Sequence, residues 1–388
     1  MNRIKISELS KQVRGVSYKP EDLHSCLNRN SVILLRANNI DDGKINFDEV
    51  VYVDKSKVSK EQYLQKGDIL ICASSGSKQL VGKAATVSFE KECTFGAFCK
   101  VVRPLPAFAD YLGAFFQSDI YRKTISEVAI GANINNIRNE HIDYLEIPVG
   151  TADENNEKVA KIRLLQSIIE KRKHELQSID DLIKARFVEM FGDTILNPFG
   201  WDKALLGSIC DVRDGTHDSP QYHETGFPLV TSKNVTGGKI DLTDCSLICE
   251  EDYNKINERS KVDKGDIIMP MIGTVGKPVI VDIEPRFAIK NVSLIKFKKA
   301  SKVLNIYIRT LLQSDYFDDA VLSKIRGGTQ KFISLGDIRR LEVLVPPIEL
   351  QSQFATFVAQ VDKSKFAVQK ALEKAQLLFD SLMQNYFG

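Results

Sequence analysis

Asn197-Pro198-Phe199-Gly200 has the residue types to grip an amino group. Amino-methyltransferases acting on adenine use an Asn/Asp-Pro-Pro-Tyr/Phe loop, whose aromatic ring stacks on the flipped base. Here the second proline is missing and no Gly-rich cofactor turn follows a strand upstream. Asn-Pro after a helix ending in Phe-Gly-Asp therefore reads as a helix stop and linker. Gly273-Thr274-Val275-Gly276-Lys277-Pro278 is too short for a phosphate loop, and proline replaces the magnesium-binding Ser/Thr; it reads as a turn between two strands. The five histidines, at 24, 141, 174, 217 and 223, form no nucleophile or ligand pattern. His217 and His223 flank a loop with Asp214 and Asp218 that could hold a metal, although surface-loop polarity is the simpler reading. The seven cysteines include no CxxC, which points to reduced thiols rather than disulfides or zinc. No catalytic or metal constellation stands out, so the expectation is a chain that is not itself an enzyme.

What remains are polar loops rich in residues that read DNA. Arg, Lys, Asn and Gln donate to guanine and adenine edges, and lysines and backbone amides take phosphates. The densest stretch is Lys324 to Lys331, with Arg326, Gly327, Gly328, Thr329, Gln330 and Lys331 as candidate DNA contacts. Further upstream, Gly131 to Arg138 supplies Asn133, Asn135, Asn136 and Arg138. A third loop offers Ser75, Ser77, Lys78 and Gln79, followed by Lys83. Lys233, Asn234 and Lys277 complete the set. Taken one residue at a time, an ordinary solvated loop explains each as well.

These loops recur because the chain is duplicated. Lys66-Gly67-Asp68-Ile69-Leu70 returns as Lys264-Gly265-Asp266-Ile267-Ile268, at an offset of 198. Val81-Gly82-Lys83 returns as Val275-Gly276-Lys277 at 194, and Gln117-Ser118-Asp119 as Gln313-Ser314-Asp315 at 196. Gly131, Ile137, Ile142, Leu145, Glu146 and Val149 match Gly327, Ile333, Ile338, Leu341, Glu342 and Val345, again at 196. Asn39 with Gly43-Lys44-Ile45 matches Asn234 with Gly238-Lys239-Ile240 at 195. The order is kept while the offset barely wanders, so the chain is two copies of one unit. The spacing of glycines and isoleucines persists while the polar residues between them change, as two heads reading different sequences require.

Each copy has the same plan. Short β-like runs come first, at Ser31 to Arg36, Asp68 to Ala73, Ala84 to Phe89 and Cys99 to Arg103. Their counterparts are Pro228 to Thr231, Asp266 to Met269, Lys277 to Asp282 and Ser293 to Phe297. A helical stretch follows, Ala109 to Glu127 and Val303 to Leu322. A long polar helix closes each copy, about Glu157 to Phe191 and Glu349 to Phe387, roughly 50 Å long at 1.5 Å per residue. Ile162, Ile169, Leu176, Ile183 and Met190 fall seven apart on the first, and Val358, Lys365, Leu372, Phe379 and Tyr386 on the second. The heptads share one register, which predicts that the helices pair along this seam, with Arg172, Arg186 and Lys365 as interruptions. Antiparallel pairing would set two similar heads on a rod of fixed length, able to straddle half-sites about 34 Å apart.

Composition agrees with a globular protein of two or more domains: 388 residues, 43% hydrophobic, 27% charged, net charge +2. No apolar run approaches the roughly 18 residues of a membrane span and the N-terminus has no signal-peptide block, so a cytoplasmic protein is expected. Near-neutrality fits DNA binding if partners supply much of the phosphate contact.

The chain resembles the DNA-specificity subunits of Type I restriction–modification systems. The twin Lys-Gly-Asp-Ile blocks carry the resemblance, with Ser75 to Ala85, Gly327 to Gln351 with its Pro346-Pro347, and the helix endings Val188 to Asp193 and Leu382 to Gly388. The resemblance implies an α+β chain with two tandem α/β target-recognition domains, 1–150 and 194–346. They alternate with two conserved helical regions, 151–193 and 347–388, that form an antiparallel coiled coil. It also implies a bipartite double-stranded DNA site and docking of two modification subunits that methylate adenine N6. S-adenosylmethionine would sit on those partners, with no cofactor in this chain, and restriction subunits would complete the complex. One departure is that the first copy has a single proline, Pro148, where the second has two, so its helix start is less well marked. Two rivals stay open: a self-contained adenine methyltransferase or nuclease, and a coiled-coil scaffold with two protein-binding domains and no DNA readout.

Overall fold

In the computed structural model, the twice-used Lys-Gly-Asp stretch is a tight turn over a buried carboxylate. Gly67 and Gly265 take φ of 90° and 93°, a region that favours glycine. The next residue folds its carboxylate back under the turn: Asp68 Oδ2 accepts from the Gln65 amide at 2.8 Å, and Asp266 Oδ2 from the Asp263 amide at 2.7 Å. A cation on the neighbouring strand closes each site. Arg103 grips Asp68 with two hydrogen bonds of 2.7 Å, and also donates to the Tyr63 and Glu61 carbonyls. In the second copy Lys296 bonds Asp266 at 2.5 Å and Asp263 at 2.8 Å. The repeated motif is thus a structural joint.

Residues 2–77, 79–129, 135–272, 276–298, 301–320 and 332–388 are described. They form two units, 1–173 with 369–388, and 174–368. In the first, a four-stranded antiparallel sheet runs in the order Ala84–Thr86, Ile69–Cys72, Cys99–Pro104, Ser10–Arg14. A second sheet of four strands is centred on Ser31–Leu35, which pairs in parallel with Cys93–Phe95. The second unit repeats the first sheet as Val279–Ile280, Ile267–Pro270, Val292–Lys296, Asp211–Asp214. The parallel pair recurs as Phe227–Val230 with Ala288–Ile289. Each unit also has a two-stranded ribbon that the sequence did not announce: Asn2–Lys5 with Glu146–Val149, and Asp202–Leu205 with Glu342–Val345.

The expected single helix after the sheet is broken in both copies, into Ala109–Phe116 and Asp119–Val128, and into Asn305–Leu311 and Asp315–Ala320. The duplicated Gln-Ser-Asp is the cause. Ser118 caps the new helix by accepting from the Tyr121 amide at 3.1 Å, while its own hydroxyl donates to the Phe115 carbonyl.

The long helices span Ala152–Phe191 and Ile348–Phe387, 40 residues and about 60 Å each. The first begins five residues earlier than expected because Thr151 and Glu154 form a capping box: the Glu154 carboxylate accepts from the Thr151 amide at 2.8 Å, and the Thr151 hydroxyl accepts from the Glu154 amide at 3.3 Å. The second starts on Pro346-Pro347 and is anchored by buried Gln351, whose side chain bonds Leu304, Lys302 and Pro346 backbone groups. Asn155 plays that part in the first copy, bonding both backbone groups of Gly150.

The helices pack together antiparallel. In the first unit Val159 and Ile162 share a core with Met383 and Phe387; in the second Ile183, Phe187 and Phe191 share one with Phe354 and Val358. The heptad seam of both helices is buried or half-buried throughout: Ile162, Ile169, Leu176, Ile183, Met190, Val358, Leu372, Phe379 and Tyr386 all avoid full exposure. At the ends burial rotates past Met190 and Tyr386 onto Phe187, Phe191, Met383 and Phe387. A straight helix drifts about 20° per heptad, and there a third helix also joins the packing. Phe191 stacks edge-on to Tyr307 at 4.8 Å, and Phe387 lies 5.2 Å from Tyr111. Lys365 interrupts the seam by pairing with Asp180.

Arg103→Ala leaves the Asp68 carboxylate, 1% exposed, without a counter-charge, and should destabilise the protein by about 3–5 kcal/mol in urea unfolding. Arg103→Lys, the cation used by the second copy, should recover most of that loss. Equal midpoints for wild type and Arg103→Ala would refute the joint.

Candidate nucleic-acid interface

The first unit brings two of the expected loops together. Ser74–Ser75 pairs as a strand with Asn135–Asn136, in the register Asn135↔Ser75 and Asn136↔Ser74. The ribbon grows from the core because the Ile137 amide donates to the Ala73 carbonyl at 2.8 Å, and Ile137 itself is buried. The second unit repeats the joint, Ile333 amide to Met271 carbonyl at 3.0 Å, with Phe332 bridged to Ile272. Ser77, Gln79, Asn136 and Arg138 are exposed on this edge, and Ser75 is half-buried with its hydroxyl accepting from the Ser77 amide at 3.1 Å. Arg138 lies 3.5 Å from Glu140. Lys78, Asn133, Arg326, Gly327, Gly328, Thr329, Gln330 and Lys331 lie outside the described residues, as does the side chain of Asn135.

Other candidates sit differently. Lys83 is half-buried, 3.8 Å from Asp41, and lines a cleft of about 560 Å³ beside the first long helix with Lys44, Arg163, Glu170 and Lys173. Asn234 is buried, and its carboxamide oxygen accepts from the Thr231 amide and hydroxyl, both at 3.0 Å. Asn39 caps the matching turn in the first copy, accepting from the Arg36 amide at 2.8 Å, so this pair recurs for a backbone reason. Its neighbour Lys233 is exposed, as is Lys277.

Arg122 and Lys100, which the sequence did not single out, hold the edge of the first unit in place. Arg122 donates to the Val81 carbonyl at 2.7 Å and the Gln79 carbonyl at 2.8 Å, tying down the loop that carries Ser75 to Gln79. Lys100, half-buried, reaches the Ile137 carbonyl at 3.1 Å and Asn139 Oδ1 at 2.7 Å; burial holds its ammonium pKa below the ordinary lysine range. In the second unit His217 is bonded at both ring nitrogens, Nδ1 to Asn291 Oδ1 at 2.8 Å and Nε2 to Asp214 Oδ2 at 2.9 Å. The Asn291 carboxamide first, and then the Asp214 carboxylate, hold the imidazolium above its ordinary pKa, against a smaller cost of burial. Arg259 bonds the other Asp214 oxygen at 2.7 Å. Among the described residues no group of three or more His, Cys, Asp or Glu stands ready for a metal ion. Asn197, the would-be amino-group ligand, is closed on itself: its carboxamide bonds both backbone groups of Trp201 at 2.9 Å.

Comparison with known proteins gives the same picture. Residues 198–377 match the family model described as Type I restriction modification DNA specificity domain. The chain is 28% identical over 403 residues to the Type I restriction enzyme EcoKI specificity subunit of Escherichia coli K12, covering 98% of this chain and 86% of that one. It is 26% identical over 419 residues to the StySPI specificity subunit of Salmonella potsdam, with the same coverage. Its fold matches the crystal structure of the Type I system S subunit from M. genitalium at a TM-score of 0.55, with 16% identity over 100% of this chain and 96% of that one. A chain solved in work on assembly and conformational transition of the Type I system matches at a TM-score of 0.53 and 17% identity, covering 99% and 97%. With the duplicated units, the paired helices and an alignment spanning nearly its whole length, the chain is similar throughout to the specificity subunits of Type I restriction–modification systems.

Proposed function

We propose that this chain gives a Type I restriction–modification complex its DNA specificity, each unit reading one half of a bipartite double-stranded site. The observation that carries this reading is the backbone joint built twice on one plan, the anchoring bonds of Ile137 and Ile333 kept while the residues around them change, with a polar edge on the joint in the first unit. Such an edge suits base contacts, while surface lysines and backbone amides take phosphates. The paired helices dock the modification subunits. Leu164, Leu377 and Leu378 in the first unit, and Leu182 and Val188 in the second, are apolar residues exposed on those helices, as a docking face needs. S-adenosylmethionine and the N6-adenine chemistry belong to those partners, and restriction subunits join them to cut unmethylated DNA. Among the described residues no helix is long and apolar enough to cross a membrane, and the complex works where the DNA is, in the cytoplasm.

The purified chain should bind DNA weakly, with affinity falling steeply as salt rises, and should transfer no methyl group. Adding modification subunits and S-adenosylmethionine should give adenine methylation at a two-part site. Tight, salt-tolerant specific binding by the chain alone would contradict this division of labour. Arg122→Ala removes two charged hydrogen bonds from the reading loop and should weaken specific binding by the assembled complex roughly tenfold, with non-specific affinity unchanged. Equal losses on specific and random DNA in a competition titration would show that Arg122 does not order a reading loop.

A further inference from the structure

One turn, present in both units, presents a side chain that nothing in the core uses, and in the first unit it lies against the Ser74–Ser75 edge. In the first unit it is Gly96-Ala97-Phe98, between the strands Cys93–Phe95 and Cys99–Pro104. In the second it is Lys290-Asn291, between Ala288–Ile289 and Val292–Lys296. Both turns are pinned alike. The Val16 amide donates to the Phe95 carbonyl at 2.8 Å and the Ala97 amide to the Val16 carbonyl at 2.9 Å. Thr216 does the same with Ile289 and Asn291, at 3.0 and 3.1 Å. The approach is so close that a Cβ on Gly15 would lie 2.1 Å from the Gly96 oxygen, and one on Gly215 2.4 Å from the Ile289 oxygen. The turn is therefore rigid, as a reading element must be.

Its position follows from its bonds. The Phe98 carbonyl accepts from the Ala73 amide at 2.9 Å and the Ser74 amide at 3.0 Å, so Phe98 adjoins the Ser74–Ser75 ribbon. Phe98 is 68% exposed, an apolar residue that the fold does not bury. Asn291 takes a left-handed φ of 55°. The Asp214 carboxylate can only accept, so His217 must donate from Nε2; when the ring is protonated it also donates from Nδ1 to the Asn291 oxygen, 2.8 Å away. Among the described residues that leaves the Asn291 amide nitrogen, with its two hydrogens, as the group to meet a base.

We propose that this turn contacts bases in both half-sites, Phe98 packing on the C5-methyl of a thymine and Asn291 donating to the acceptor edge of a guanine. Guanine offers two acceptors in the major groove, N7 and O6, whereas adenine offers one acceptor and a donor that needs the Asn oxygen His217 occupies. The proposal rests on the DNA-specificity reading and adds which residues and which bases.

The test is methylation of a library randomised across both half-sites by the complex assembled with wild-type, Phe98→Ala, Phe98→Leu, Asn291→Ala or His217→Ala chain. Phe98→Ala should lower the preference for thymine at one position about tenfold or more, and Phe98→Leu should keep most of it. Asn291→Ala should relax one guanine position in the other half-site by a similar factor. His217→Ala, by freeing the Asn oxygen, should admit adenine there. Each variant should leave the opposite half-site unchanged. Unaltered preferences at every position would overturn the proposal. So would loss of complex assembly by folded Phe98→Ala chain, which would make the turn a protein contact. A wild-type complex that methylates no site would instead sink the DNA-specificity reading itself.

Discussion

The first long helix cannot bury its apolar stripe alone. In one unit its opening turns pack against the closing turns of the second long helix; in the other its closing turns pack against the opening ones. Each unit is therefore completed by chain from two distant places, and the first needs residues 369–388, the last of the sequence. The aromatic clusters at the helix ends show what holds this together. Phe187 and Phe191 pack within 5.5 Å of each other and of both Phe354 and Tyr307 in the second unit. In the first, Phe387 lies 5.2 Å from Tyr111 and 5.6 Å from Phe115, with Lys158 over Tyr111 and Tyr386. The helix pair and the sheets thus share cores, and the proposed reading edge is positioned on the pair through packed side chains.

Duplication then separates what the fold needs from what specificity needs. The Gly-Asp turn, the hidden carboxylate, the helix break at Gln-Ser-Asp and the amide that anchors each long helix all occur twice. Where the copies part company, the difference is local. Arg309, half-buried with Asp362 and Asp180 nearby, stands in the second unit at the place of Gly113 in the first, and burial lowers its pKa. The first unit has a cleft there, lined by Gly113, Gln117 and Gln166. The second unit alone, among the described residues, inserts an eleven-residue helix, Glu250–Ser260, whose Arg259 supports the Asp214–His217 chain.

Much of this was legible in the sequence, because the repeat and the heptads are periodic signals carried by many residues. The strands at Ser31, Ile69, Cys99, Ile267 and Val292 fell where apolar runs between turn residues placed them. What escaped depends on single atoms or on distant partners. Thr151 and Glu154 form a capping box that a polar stretch disguised. Asn2–Lys5 has no apolar alternation and becomes a strand only because Glu146–Val149 lies beside it. Asn39 and Asn234 recur like base readers but serve as caps. Phe98 and Asn291 carried no pattern at all and His217 showed only as part of a polar loop; the sheet register and hydrogen bonds place Phe98 beside the Ser74–Ser75 edge and Asn291 against His217.

The most direct test of the central claim is a single-base methylome of cells that carry this gene and its modification partner, with and without the gene. The account predicts a two-part N6-methyladenine motif, separated by a non-specific gap, that is present with the gene and absent without it. An identical methylome in the two strains, with the modification subunit expressed, would contradict the claim that this chain chooses the DNA site.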